Sequence, residues 1–122
     1  MDKVLMVFLG GGLGAVSRYG LGIAINRSPY GTLAANILGG FLMGVLVTTL
    51  ALKGGSDQER FRVLLGVGVL GGFTTFSAYS LEVALMIERK AYGAAALYAS
   101  ASVAMSIAAL FAGMLLMRRL LA

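Results

Sequence analysis

The sequence predicts an all-α integral membrane protein with four transmembrane helices and a break in the third. Three observations lead to this fold class. Hydrophobic residues make up 59% of the 122 positions and charged residues only 12%, whereas a soluble domain carries about 25% charged residues. The mean hydropathy is +0.90, and the apolar residues fall into four long runs. Within the third run, adjacent glycines and threonines form a stretch of poor helix formers.

The four runs cover residues 4–25, 32–52, 63–87 and 92–117, and we expect them to form a single transmembrane domain. At a rise of about 1.5 Å per residue, each run can cross a hydrocarbon core of about 30 Å. The first run is interpreted as a mature span, because it lacks a clean small-x-small cleavage site and more apolar sequence follows. Four spans with short connections place both termini on one side of the membrane.

Composition excludes most enzyme chemistry. The chain has no Cys and no His, so disulfides, histidine metal sites and histidine-assisted nucleophiles are absent. Of the five acidic residues, only Glu82 is expected at membrane depth. The net charge is +5, but the basic residues lie at the ends of the apolar runs. That distribution indicates membrane anchoring, not a nucleic-acid partner.

The distribution of Lys and Arg leaves the orientation open. Six of these residues fall on the side of the termini, three (Arg27, Arg89 and Lys90) on the other side, and Arg18 lies within the first run. This bias favours cytoplasmic termini only modestly, so insertion in both orientations is compatible with the sequence.

Glycine pairs at small-xxx-small spacing predict close helix contacts. The pairs are Gly10 with Gly14, Gly40 with Gly44, and Gly68 with Gly72. They allow two interpretations, namely packing within one chain or an interface between copies. We expect an oligomer, because four short helices alone enclose little volume for a pathway.

Polar residues within the runs need a partner or a function, because polar groups at membrane depth are costly. We hypothesise an ion pair between Arg18 and Glu82, with snorkelling of Arg18 as the alternative. Thr32 and Asn36 lie one turn apart on one face of the second run. Asn36 could bond one helix to another, or it could line a pore as a hydrogen-bond donor.

The third run contains Gly71-Gly72-Phe73-Thr74-Thr75-Phe76-Ser77 near its middle. A helix broken here frees backbone carbonyls, which lipid cannot satisfy and which suit a hard cation. Phe76 and Tyr79 are three residues apart, and aromatic ring edges carry a partial positive charge that can face an anion. Ordinary packing is the alternative for these two rings.

In the fourth run, Tyr98, Ser102 and Ser106 recur every four residues and therefore share one helix face. Serine hydroxyls in membrane helices often bond to their own backbone. Three hydroxyls on one stripe suggest instead a polar track across the membrane.

With these motifs, the sequence resembles the Fluc/CrcB family of fluoride channels over essentially its full length. The match rests on the glycine-rich stretch of the first run, Gly-Thr-Leu-x-x-Asn-x-x-Gly in the second, Gly-Gly-x-Thr-Thr-Phe-Ser in the third, and the hydroxyl stripe of the fourth. The resemblance implies a fluoride-specific channel that passively exports fluoride from the cytoplasm and so lowers its toxicity. It also implies a multi-pass protein in the inner (plasma) membrane of a prokaryote, assembled as an antiparallel, dual-topology homodimer.

The resemblance further assigns roles to residues. It implies a fluoride pathway that comprises Asn36, Phe76, Tyr79, Thr32, Tyr98, Ser102 and Ser106. It implies a structural Na⁺ at the dimer centre, held by the backbone carbonyls of Gly71 and Thr74. Phe73 is not among the family's pore aromatics. One departure is Tyr79, where the family usually has Phe, and its hydroxyl leaves open how this position contacts the ion.

Three other functions are considered from the residues. A small dual-topology multidrug exporter also has four spans, but it needs a carboxylate within the first span, where this chain has none after Asp2. A structural membrane subunit would explain the glycines but not the polar stripe or the Thr-Thr break. An intramembrane enzyme has almost no candidate groups here.

Overall fold

The computed structural model describes residues 2–26 and 29–121, and these residues form four helices that are long and apolar enough to cross a membrane. The helices are α1 (Lys3–Ile25), α2 (Tyr30–Lys53), α3 (Gly55–Glu88) and α4 (Tyr92–Leu121). The all-helical class is therefore confirmed. Arg27, which entered the charge count, lies outside the described residues.

The helix ends follow local sequence signals. Asp2 caps the start of α1, since its side chain accepts a hydrogen bond from the Val4 amide at 3.4 Å. Asn26 ends α1 in the left-handed conformation, with φ of 51°, and its amide donates to the Gly22 carbonyl. α3 begins at Gly55 rather than at residue 63, because the expected connection after Lys53 is itself helical.

The third helix is segmented, and the predicted break is confirmed. A 3₁₀ turn (Gly55–Asp57) and a short α-helical turn (Gln58–Phe61) lead into a π-helix, Arg62–Leu70. After one further α-helical turn, Gly71–Phe73, the chain leaves the helix for residues 74–76 and resumes it at Ser77–Glu88. The π-helix was not expected from the sequence. It ends one short α-helical turn before the break, and π-helical segments are frequent at functional sites.

Glycines bring the helices together in pairs. A Cβ added at Gly10 of α1 would lie 2.6 Å from the Leu64 carbonyl oxygen of α3, and one at Gly14 would lie 2.7 Å from the Phe73 amide nitrogen. In the same way α2 packs on α4, where a Cβ at Gly40 would lie 2.7 Å from the Ser106 carbonyl oxygen. The glycine pairs therefore serve packing within the chain, which is the first of the two interpretations above.

The second half of α3 packs mainly on α4. Met86, Ala95 and Tyr98 form a small buried cluster between them, with the half-buried Tyr79 packed against it. This contact holds the chain that follows the break against the hydroxyl-bearing face of α4. The break, α2 and α4 are thereby brought around one shared space.

Candidate functional site

A groove of about 490 Å³ lies between α2, the break in α3 and α4. Five of the seven predicted pathway residues line it, and they are Asn36, Phe76, Tyr79, Ser102 and Ser106. Gly71 and Thr74 line the same groove. Residues predicted separately from three runs are thus gathered at one place. Phe76 is 78% exposed, so the groove opens on the surface of the chain.

Two predicted pathway residues lie elsewhere. Thr32 lines a second cavity of about 480 Å³, together with Arg18, Tyr19 and Asn26, between α1 and the start of α2. Tyr98 is buried behind the groove, where its hydroxyl donates to the Glu82 carboxylate at 3.3 Å. Its ring lies 5.7 Å from that of Tyr79. Neither residue is among those that line the groove.

Asn36 holds the break by two hydrogen bonds. Its Nδ2 donates to the Thr75 carbonyl at 3.0 Å, and its Oδ1 accepts from the Thr75 amide at 2.8 Å. The side chain thus replaces the helical partners that Thr75 loses at the break. Because an amide nitrogen carries two hydrogens, one N–H of Asn36 is not used by this pair of bonds. Asn36 therefore joins two helices and also lines the groove.

The break deprives several carbonyls of their helical donors, among them those of Gly71 and Thr74. In a continuous helix the Thr75 amide would donate to the Gly71 carbonyl, and the Ala78 amide to the Thr74 carbonyl. The Thr75 amide instead donates to Asn36, and the Ala78 amide donates to the Thr75 hydroxyl at 3.1 Å. The released carbonyls thus include the pair that the resemblance assigns to sodium.

Other carbonyls at the break find side-chain donors. The Leu70 carbonyl accepts from both the amide and the hydroxyl of Thr74, each at 3.0 Å. Arg18 Nε donates to the Gly72 carbonyl at 3.3 Å across the α1–α3 contact. The Arg18–Glu82 ion pair stays a prediction, since the interactions described for these residues join Arg18 to Gly72 and Glu82 to Tyr98.

Ser102 lines the groove, and its hydroxyl oxygen is buried. The residue is 4% exposed, and its Oγ has no hydrogen-bond partner among residues 2–26 and 29–121. A buried hydroxyl without a partner is costly in a nonpolar environment. It is therefore a candidate donor to a ligand in the groove.

Two aromatic rings also line the groove, and they pack against each other. The Phe76 and Tyr79 ring centroids are 5.4 Å apart, with an interplanar angle of 44°. The Tyr79 hydroxyl donates to the Ala99 carbonyl of α4 at 3.1 Å. The hydroxyl that distinguishes this position is thus directed to the backbone of α4.

A carboxylate-based metal centre does not fit this chain. Within the part that the structure describes, no three His, Cys, Asp or Glu side chains are grouped closely enough to hold a metal ion. The released carbonyls of Gly71 and Thr74 are hard oxygen donors without a formal charge. Such a set fits a monovalent hard cation better than a divalent one, which usually recruits carboxylates.

Sequence reasoning missed two parts of the site. Thr75 contributes backbone groups to Asn36 and a hydroxyl to the Ala78 amide, and its place in the Thr-Thr pair was the available signal. Arg18 was singled out, but its bond to the Gly72 carbonyl depends on the α1–α3 glycine contact. Asn36 and Arg18 reach the break only because the helices pack together, and the sequence does not show that packing.

The fold and the groove define a small multi-pass membrane protein in which a largely apolar groove carries a few polar groups. The sequence model of the family described as "CrcB-like protein, Camphor Resistance (CrcB)" matches residues 5–114. The chain belongs to the CrcB family.

Relatives with close sequence similarity extend over the whole chain. The fluoride-specific ion channel FluC of Phenylobacterium zucineum (strain HLK1) is 63% identical over 127 aligned positions, covering 100% of both chains. The protein of the same name from Caulobacter sp. (strain K31) is 57% identical and covers 98% of both chains. That from Rhodospirillum centenum (strain ATCC 51521 / SW) is 47% identical over 97% of both.

Proposed function

We propose that this chain is a fluoride-specific ion channel that lets fluoride leave the cytoplasm passively and so lowers its toxicity. The observation that carries this proposal is the groove, which is lined by Asn36, Phe76 and Ser102, the last with a buried hydroxyl that makes no hydrogen bond to the described residues. The names of the full-length relatives support fluoride as the ion.

The groove has the chemistry that fluoride needs. Fluoride is small and strongly hydrated, so a pathway must replace its water with donors that hold the ion without trapping it. The Ser102 and Ser106 hydroxyls, the second N–H of Asn36 and the edge of the Phe76 ring are donors of this kind. None of them carries a formal charge, which favours release of the ion as well as its entry.

Anion efflux from liposomes tests the function. Purified full-length protein is reconstituted into liposomes that contain fluoride and chloride, and each anion is followed with its own electrode. We expect rapid fluoride release with chloride release near that of empty liposomes. Comparable chloride release would contradict a fluoride-specific channel.

We propose further that two copies assemble as an antiparallel, dual-topology homodimer. Asn36, Ser106 and the exposed Phe76 would otherwise face lipid, which offers no hydrogen bonds to polar groups. A second copy placed over the groove would enclose it and turn it into a pathway. The modest Lys and Arg bias supports insertion in both orientations.

A structural Na⁺ at the centre of this dimer is the third part of the proposal. The released carbonyls of Gly71 and Thr74 support it, and two copies related by a twofold axis would supply four oxygens. Fluoride efflux is compared with Na⁺ and with a large organic cation as the only cation. We expect efflux to fall in the organic salt, and equal efflux in both salts would contradict a required sodium ion.

The location we propose is the inner (plasma) membrane of a bacterium, consistent with the membrane-spanning helices and the bacterial sources of the relatives. A multidrug exporter is disfavoured by the absence of a carboxylate in the α1 sequence after Asp2. A purely structural subunit would not require an unpartnered hydroxyl in an open groove.

A further inference from the structure

A second surface feature lies between α2 and the first half of α3, away from the groove. Two adjoining cavities of about 300 Å³ and about 280 Å³ share Leu46, Thr49 and Leu65 in their walls. They form one crevice, named here the α2–α3 crevice. Its inner part is lined by apolar side chains such as Leu42 and Val69, and its outer part reaches Lys53 at the end of α2.

The crevice has the length of one membrane leaflet. From Leu42 to Lys53, α2 rises about 16 Å at about 1.5 Å per residue. This is about half of the roughly 30 Å hydrocarbon core. The apolar part therefore runs from near the membrane centre to the interface, where the ammonium group of Lys53 is exposed.

Thr49 adds a polar group at a defined depth. Its Oγ1 is buried and has no hydrogen-bond partner within the described residues. Thr49 lies one helical turn from Lys53, so its hydroxyl is about 6 Å deeper in the membrane. In a glycerophospholipid, the ester carbonyls lie at a similar depth below the phosphate.

The crevice and the groove use different faces of α2. Successive residues turn by about 100° around an α-helix. On that geometry the crevice residues Leu42, Val45 and Thr49 are centred about 140° from the groove residues Asn36 and Met43. A molecule in the crevice therefore leaves the groove free for a second copy of the chain.

We propose that the α2–α3 crevice binds one anionic glycerophospholipid. One acyl chain lies against Leu42, Leu65 and Val69, an ester carbonyl accepts a hydrogen bond from the Thr49 hydroxyl, and the phosphate pairs with Lys53. Apolar lining, a buried donor and a terminal cation follow one another in the order of these lipid groups. A peptide or a second protein chain would not require an apolar lining, a hydroxyl donor and a cation to follow one another along the crevice.

Native mass spectrometry of the full-length protein in non-ionic detergent tests the proposal, with phosphatidylglycerol as the probe. We expect one retained lipid per chain, and Lys53→Gln should weaken retention about five-fold, as removal of one interfacial cation predicts. Leu65→Trp should abolish it, since the indole would fill the crevice from a 37% exposed position. The control Lys3→Gln removes a cation of the same side that does not line the crevice.

Thr49→Val and Thr49→Ser provide a test that keeps the packing nearly unchanged. We expect weaker retention with Val and wild-type retention with Ser. Equal retention in Lys53→Gln, Leu65→Trp and wild type would overturn the proposal. A loss in Lys3→Gln as large as in Lys53→Gln would overturn it too, by showing non-specific attraction. A changed number of chains in Leu65→Trp, with lipid retention unaltered, would assign the crevice to a second copy instead.

Discussion

At the scale of single residues, Asn36 and Ser102 line the same groove but differ in the hydrogen bonds that their side chains make. Asn36 uses both its carbonyl oxygen and one N–H to hold Thr75, so its substitution would disturb the break as well as the groove. The Ser102 hydroxyl makes no hydrogen bond within the part of the chain described. A substitution of Ser102 therefore tests the role of the side chain in conduction without disturbing the structure of the break.

Ser102→Ala should lower fluoride efflux strongly while stability stays equal or rises by about 1 kcal/mol, because a buried donor without a partner is removed. Efflux is measured in liposomes, and stability by thermal unfolding in detergent. Ser17→Ala is the matched control, since Ser17 is exposed and its hydroxyl bonds to the Leu13 carbonyl of its own helix. A loss of stability without a loss of efflux would assign Ser102 to packing.

At the scale of elements, the break in α3 shows what sequence could and could not predict. Adjacent glycines and threonines predicted where the helix would fail, and the break falls at residues 74–76. Besides its own threonine hydroxyls, the break is satisfied by side chains of α1 and α2, namely Arg18 and Asn36. Which distant side chain reaches which carbonyl depends on how the helices pack, so local patterns carry no such information. The π-helix before the break was missed for the same reason.

Gly71→Pro should abolish efflux and destabilise the protein by about 3 kcal/mol. Gly71 has φ of −63°, which proline adopts without strain. The cost comes from its amide, which donates to the Gly66 and Gly68 carbonyls, and from the helical conformation of Leu70, which a following proline disfavours. Efflux and thermal unfolding are both measured.

Gly71→Ala is the control for that variant. A Cβ at Gly71 meets the Gly66 carbonyl oxygen at 3.5 Å, an ordinary contact, so this variant should fold and keep its Gly71 carbonyl. If Gly71→Pro were as active and as stable as Gly71→Ala, the geometry at the break would not matter for conduction.

The α1–α3 contact gives a prediction for a pair of helices. Gly14→Ala should destabilise the protein by about 1–3 kcal/mol, because its Cβ would lie 2.7 Å from the Phe73 amide nitrogen just before the break. Gly12→Ala on the same helix meets nothing within 4 Å and should be neutral. Thermal unfolding of both variants in detergent makes the comparison. Equal stability would mean that α1 can move away from α3 at little cost.

At the scale of the whole molecule, the sequence predicted the fold class and most of the residues that line the groove. It did not predict which contacts each of these side chains makes. Apolar runs required four helices, and hydroxyl spacing placed Ser102 and Ser106 on one face. Spacing grouped Tyr98 with these serines, and the family resemblance added Thr32. Both lie outside the groove, because α1 approaches α2 near Thr32 and Tyr98 binds Glu82. Helical periodicity shows which residues share one face of a helix, but the neighbour that this face contacts depends on how the helices pack.

Orientation can be measured on intact cells, because the native chain has no Cys. A single Cys is therefore introduced at either end of α3. Glu88→Cys places it at the end of the helix and Asp57→Cys near the start, in preference to Ser28 of the first connection, which lies outside the described residues. Replacing acids leaves the Lys and Arg count unchanged, and that count sets orientation. With dual insertion, a membrane-impermeant thiol reagent should label about half of each variant from outside. Near-complete labelling of one and none of the other would show a single orientation.

The open groove also has a consequence for how the protein reaches its working state. If two copies pair as proposed, a chain newly placed in the bilayer exposes Asn36 and Phe76 until another chain, reached by lateral diffusion, covers them. Helices with charged ends do not turn over once inserted, so an antiparallel pair needs one chain of each orientation. The supply of finished channels would then be set by the rarer orientation, and a variant that shifts the insertion ratio would lower activity without altering any residue of the pathway.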